Sequence, residues 1–189
     1  VLETHYEPAG NWPAHWVVDI NGDGFKDLLV SDMYRGYIVF IRTIDGRLVD
    51  ETDMRIPQAL PGGLNASVGD IDGDGFLDLY VANYRTSGLM DVPNARATFK
   101  KAGGKTVMDT FNGRPVATDP ELRDRFVIGP RGSIDEQGEP DVLYRNIAGT
   151  NFSAIPFTGG MFLDGAGQPL TKPLFDWGLS VMIRDANGD

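Results

Sequence analysis

The nine-residue pattern Asp-x-Asx-x-Asp-Gly-x-x-Asp occurs twice in this chain, each time between two short apolar runs. The first copy reads Trp16-Val17-Val18, then Asp19 to Asp27, then Leu28-Leu29-Val30. The second reads Ser67-Val68-Gly69, then Asp70 to Asp78, then Leu79-Tyr80-Val81, and Asp70 lies 51 residues after Asp19. A third copy opens at Ser180 and reaches Asp185-Ala186-Asn187-Gly188-Asp189, a gap of 115 residues from Asp70 and too long for one plain repeat. A repeat constrains the fold more tightly than composition does. Each unit must be one supersecondary motif that buries its apolar face against a neighbour.

Each copy reads as strand, acidic loop, strand. Gly36 to Thr43 is apolar and β-branched, Asp45-Gly46 is a two-residue hairpin signal, and Arg47 to Thr52 reads as the partner strand. Four antiparallel strands recurring at about 40 to 50 residues are the mark of propeller blades. The expectation is therefore an all-β fold, a β-propeller domain spanning 1–189 whose blades are four-stranded antiparallel sheets. Blade one falls at about 14–60, blade two at about 64–158, and the start of blade three at about 174–189. After the strand at 79–84 the next strand signal waits until Asp141 to Asn146, followed by a turn at Gly149 and a strand from Asn151 to Ile155. Residues 85–140 then form an insertion between the second and third strands of blade two. Within it Asp119-Pro120-Glu121 predicts a short helix near 120–126, because Asp caps and Pro suits the first helical position. The remainder, with Gly103-Gly104, Gly113, Gly129-Pro130 and Gly132, reads as ordered loop.

The acidic loops place oxygen donors on alternate residues and glycine where the chain must turn. Hard cations such as calcium take about six to eight oxygens at about 2.3–2.6 Å and tolerate flexible geometry. Asp19, Asn21, Asp23 and Asp27 offer side-chain oxygens in the first loop, with the Phe25 carbonyl as a further donor. Asp70, Asp72, Asp74 and Asp78 offer them in the second, with the Phe76 carbonyl. No His or Cys stands in either loop, which disfavours softer metals. An EF-hand is excluded, since its loop closes on a bidentate Glu at position twelve and these loops carry Val30 and Val81 there. Phe25 and Phe76 are expected to anchor their loops in the core.

The formal net charge of −10 sets aside a nucleic-acid partner, and no apolar run is long enough to span a membrane. There are no cysteines, so disulfides and thiolate metal sites are excluded. Cations gather in the insertion, at Arg96, Lys100, Lys101, Lys105, Arg114, Arg123, Arg125 and Arg131. Of these, Arg96, Lys100, Lys101, Arg114, Arg123 and Arg131 are the candidate ligand-binding residues, for a protein or an acidic glycan. His5 and His15 lack metal-ligand spacing, and Trp12, Trp16 and Trp177 are expected to pack between blades. The paired carboxylates could be read as a glycosidase acid and base, but metal coordination accounts for them. No nucleophile elbow, phosphate loop or dinucleotide fingerprint is present.

Residues 16–30, 67–84 and 175–189, supported by Leu143-Tyr144-Arg145-Asn146 and Phe175-Asp176-Trp177-Gly178, resemble FG-GAP (VCBS-type) repeats, the calcium-bearing blades of integrin-α-like propellers. The resemblance implies calcium at Asp19, Asn21, Asp23, Phe25 and Asp27 and at the five matching positions of the second loop. Asp185, Asn187 and Asp189 match the first three ligand positions of a third site. It further implies a calcium-stabilised module for extracellular or cell-surface recognition and adhesion, without catalytic residues. The rival reading is the propeller of an exported polysaccharide-acting enzyme, or a domain accessory to one. The chain is expected to be a piece of a longer exported protein, whose remaining sequence or other copies cover the blade edges.

Overall fold

The computed structural model describes residues 14–32, 35–56, 63–85, 87–88, 91–175 and 177–185. The chain runs β1 (His15–Val18), β2 (Asp27–Asp32), β3 (Gly36–Arg42), β4 (Leu48–Asp50), the single-turn α1 (Thr52–Arg55), β5 (Gly63–Gly69) and β6 (Asp78–Asn83). It continues through β7 (Ala97–Ala102), β8 (Lys105–Phe111), β9 (Arg114–Pro115), β10 (Phe126–Ile128), β11 (Ile134–Glu136), β12 (Val142–Ile147) and β13 (Asn151–Ile155). The all-β architecture and the four-stranded antiparallel sheets expected of propeller blades are both present.

The first sheet is a meander in the order β1-β2-β3-β4, and the second has the order β5-β6-β12-β13. Side chains alternate across each strand, so every second residue faces the core. Leu29 on β2, Tyr37, Val39 and Ile41 on β3, and Leu79 and Val81 on β6 are buried in this way. They form one cluster with Ile20, Ile56, Ala66, Tyr144 and Phe152. The two sheets thus share a single core, as neighbouring blades do. Trp16 packs against that cluster, its ring centroid 6.0 Å from that of Tyr37.

Both acidic loops, at β1–β2 and β5–β6, open at the same end of their sheets as the turns β3–β4 and β12–β13, because every pairing is antiparallel. The long excursion between β6 and β12 leaves from the opposite end.

That excursion is more ordered than a loop. It contains a three-stranded sheet β7-β8-β9 and a hairpin β10-β11. Met108, Phe111, Val116 and Leu122 give it a small core of its own. Gly103 and Gly104, both at positive φ, form the β7–β8 turn. The helix expected near 120–126 is replaced by successive turns, with Leu122 N–H and Arg123 N–H both donating to Asp119 O. Leu122 is the one buried residue of that stretch, and Phe126, which packs beside it, already belongs to β10, so the chain is drawn into a strand before a second helical turn can form. Arg85 clamps the stem, donating to Gln137 O, Gly138 O and Glu139 Oε1, each at 2.9 Å. Burial pulls the Arg85 pKa down from its ordinary value, and Glu139 opposes that shift.

The stretch from Trp177 to Asp185 forms no strand in the described residues. It lies along the second sheet, where Gly178 N–H donates to Asn83 O at 3.2 Å and Ile183 N–H to Ser67 Oγ at 2.8 Å. Its contacts are single hydrogen bonds rather than a ladder. Trp177 instead stacks edge-on to Tyr84 and donates Nε1–H to Glu136 O at 2.8 Å, joining this segment to the insertion. His5, Trp12, Asn187 and Asp189 lie outside the described residues.

Candidate metal centre

Both loops are built on the same internal hydrogen bonds. The first carboxylate of each caps the turn: Asp19 Oδ1 and Oδ2 accept from Gly22 N–H (2.7 Å) and Gly24 N–H (2.9 Å). Asp70 accepts from Gly73 (2.8 Å), Asp74 (3.1 Å) and Gly75 (2.9 Å). The acid at the fifth position of each loop accepts from the phenylalanine amide two residues on, Asp23 from Phe25 at 2.8 Å and Asp74 from Phe76 at 2.9 Å. That bond, then the Asn21 side-chain amide, holds the Asp23 carboxyl below its ordinary pKa.

The closing acids differ from the rest because they are buried, Asp27 at 1% and Asp78 at 0% exposure. Each staples its loop to the third strand of its blade. Asp27 accepts from Ile20 N–H and from Arg42 N–H at the end of β3, both at 2.8 Å. Asp78 accepts from Ile71 N–H at 3.0 Å and from Asn146 N–H on β12 at 2.8 Å. Burial raises the Asp78 pKa, these two amides oppose the rise, and the charges of Asp72 and Asp74 add to it.

In the second loop Asp70, Asp72 and Asp78 bring carboxylate oxygens within 4.8 Å of one another. This is the one such group among the described residues. The donor set fits a hard cation: every offered atom is oxygen, and three carboxylates at that spacing repel one another unless positive charge lies between them. Asp74 stands apart, accepting from Phe76 N–H. In the first loop Asn21 occupies the place of Asp72, and its Nδ2–H bonds Asp23 Oδ2 at 2.8 Å. Asp19, Asn21, Asp23 and Asp27 therefore share one turn without three convergent carboxylates. Asp185 is exposed on the final segment.

Phe25 and Phe76 are only half-buried and belong to no core cluster, contrary to the expectation that they anchor their loops inside. Phe25 lies under the Arg42 guanidinium, 5.7 Å from ring centroid to Cζ. Phe76 instead reaches the other blade's loop and presses on Gly22. Arg145, Asn146 and Gly149 on the β12–β13 hairpin also bear on the loops. Arg145 pairs with Asp72, and Asn146 Nδ2–H donates to Ile20 O at 2.8 Å. The motif Leu143 to Asn146 was visible in the sequence, but its separation of 126 residues from Ile20 hid this role.

Of the candidate cations in the insertion, Lys100, Lys101 and Arg123 line one cleft, where Lys105 joins them. Arg114 is tied to Asp119 and Glu121, each at 2.7 Å, and lies outside that cleft, as do Arg96 and Arg131.

Two antiparallel four-stranded sheets, each opening on an Asp-rich turn, define a propeller-blade repeat protein. A family model for the FG-GAP-like repeat matches residues 19–81, from the first acidic loop through most of β6. Over that span the chain is similar to FG-GAP-type repeat proteins, consistent with the blade-like sheets. No curated protein and no solved structure matches the chain.

Proposed function

We propose that the two acidic loops bind calcium and that the bound ions stiffen a recognition module exported from the cell. The observation that carries this reading is the convergence of Asp70, Asp72 and Asp78 within 4.8 Å at the mouth of the second blade. Asp70, Asp72 and Asp78, with Asp74 and the Phe76 carbonyl beside them, would hold the ion there; Asp19, Asn21, Asp23, Phe25 and Asp27 would hold one in the first loop. A divalent cation would supply the positive charge that relieves carboxylate repulsion. This chain's own residues do the rest: glycines set the turns, and Asp27 and Asp78 tie each loop to the third strand. Binding free energy then becomes folding free energy. Extracellular calcium modules bind with dissociation constants of about 10⁻⁴–10⁻³ M, which fits a compartment rich in calcium. With the loops used for stability, the insertion at the opposite end is the surface left for a partner.

The test is calcium titration by calorimetry on chelator-stripped protein, with thermal melts in calcium and in EDTA. Saturable binding at two sites with a melt raised by many degrees is the expected result. An unchanged melt together with no heat at millimolar calcium would overturn it.

A further inference from the structure

We propose that the cleft between the two hairpins of the insertion accepts an extended acidic peptide segment as an added strand. The cleft has a volume of about 940 Å³ and is walled by β8 with its β7–β8 turn on one side and by β10 on the other. One wall offers an unpaired strand edge. β8 pairs with β7 along its length but with β9 only at Thr110 and Phe111, so Lys105 to Met108 have a strand on one side alone among the described residues. β10 meets β8 at the other end, where Phe126 packs on Phe111 with ring centroids 5.2 Å apart, so the added strand pairs with β8 at its Lys105 end, facing Val127, which is 50% exposed. Such edges present rows of N–H and C=O groups, and an extended chain satisfies them by adding a strand.

Charge selects which chain. Lys100, Lys101, Lys105 and Arg123 line the cleft and no acidic residue does, on a protein of net charge −10. Lys105 has no ion pair among the described residues. Lys100 pairs with Asp109 at 2.6 Å and Arg123 with Asp124 at 3.2 Å, but all four side chains are more than 40% exposed. Exposed pairs of that kind contribute little and exchange readily for an incoming carboxylate. The same lysines repel a basic edge and would lose hydration without compensation beside a neutral one, so they guard the cleft as well as select for it. Met108 and Val116 supply an apolar floor for alternate side chains of the incoming strand. A glycan is the poorer fit. Sugar hydroxyls are read by side-chain amides and carboxylates, and the lining carries no Asn, Gln, Asp or Glu.

This inference deepens the recognition role proposed above but does not depend on calcium, so each measurement is made in calcium and again in EDTA. The probe is a fluorescein-labelled acetyl-(Glu-Val)₄-amide, followed by anisotropy against the full chain. Saturable binding at about 10⁻⁴ M or tighter is expected, weakening as salt rises. The Lys101→Glu/Lys105→Glu double variant, checked for folding by circular dichroism, should bind about tenfold more weakly or worse. A probe N-methylated at alternate residues keeps its charge but loses strand donors, and should bind the unaltered protein at least about tenfold more weakly. Equal binding of the N-methylated probe would overturn the proposal, as would no saturation by millimolar peptide. Preferential binding of a sulfated oligosaccharide that displaces the peptide would overturn it too.

Discussion

Asn146 gives its backbone N–H to Asp78 Oδ1 at 2.8 Å, so the buried acid closing the second loop is held by the third strand of its own blade. The side chain of the same residue reaches the other blade. Its Nδ2–H donates to Ile20 O at 2.8 Å, while its Oδ1 accepts from Gly149 N–H at 2.9 Å. Ile20 N–H in turn donates to Asp27. One continuous chain of hydrogen bonds therefore connects the two closing acids through a single asparagine.

Replacing Asn146 by Ala keeps the backbone bond to Asp78 but leaves Ile20 O and Gly149 N–H without that partner. A buried polar group left unpaired costs about 1–3 kcal/mol. The expected loss is about 2–4 kcal/mol in urea denaturation, present with and without calcium. If the loops bind calcium as proposed, the variant should weaken binding at both of them together in calorimetry, although Asn146 belongs to neither loop. A loss confined to the second site would show that the bond to Ile20 transmits nothing.

Gly22 and Gly24 allow the contact between blades to be weighed against backbone strain. Both have positive φ, +76° and +86°, so alanine at either costs about 1 kcal/mol. At Gly24 an added Cβ meets nothing within 4 Å, whereas at Gly22 it would stand 2.8 Å from Phe76 Cε1. Gly22→Ala should therefore destabilise by about 1–3 kcal/mol more than Gly24→Ala, in the range of overpacking. Combining Gly22→Ala with Phe76→Leu should recover most of that excess. Equal effects of the two alanines would mean that the ring does not press on the first loop.

Asp78 gives a pH dependence with a definite sign. Its pKa is raised in the folded protein, so the folded state binds its proton more tightly than the unfolded state does. Stability then falls as pH rises from the unfolded value of about 3.9 through the raised folded value. In EDTA the wild type should lose stability over that window relative to Asp78→Asn, which cannot titrate there. With calcium the same deprotonation favours binding, and the difference should reverse. Parallel stability–pH curves for the two proteins in EDTA would contradict the burial of this carboxylate.

The blades were legible because two periodicities coincide in the sequence. Alternation at Leu29 and along Tyr37, Val39 and Ile41 marks a half-buried strand, and the spacing of Asp19, Asn21, Asp23 and Asp27 marks the turn between strands. The insertion was harder to read. Lys100 and Lys101 break the alternation in β7, which has no buried face, and so hide a hairpin that Gly103-Gly104 does signal. Asp119-Pro120 looks like a helix start, and Asp119 Oδ1 does accept from Glu121 N–H at 3.1 Å, yet the chain continues as turns because Phe126 is already drawn into β10. The roles of Asn146 and Arg55 depend on contacts far apart in sequence. Arg55 donates to Gly149 O across 94 residues, and no local pattern records such a pairing.

The separate core of the insertion makes the last prediction. Leu122 is 1% exposed and packs with Met108, Phe111 and Val116, a cluster that shares no residue with the core of the blades. Truncation to Ala at such a site costs about 2–5 kcal/mol. The stem is held by Arg85, by Glu139 N–H donating to Tyr84 O at 3.2 Å and by Trp177 Nε1–H on Glu136 O, contacts separate from the β6–β12 ladder, so the insertion can open without unzipping that ladder. Leu122→Ala should therefore speed hydrogen exchange across 97–136 while amides of β2, β3 and β6 keep their protection. It should also abolish the acidic-peptide binding proposed for the cleft but leave calcium binding intact. If exchange rises equally in β2 and β6, insertion and blades unfold as one cooperative unit, and the insertion is part of the scaffold rather than a module carried on it.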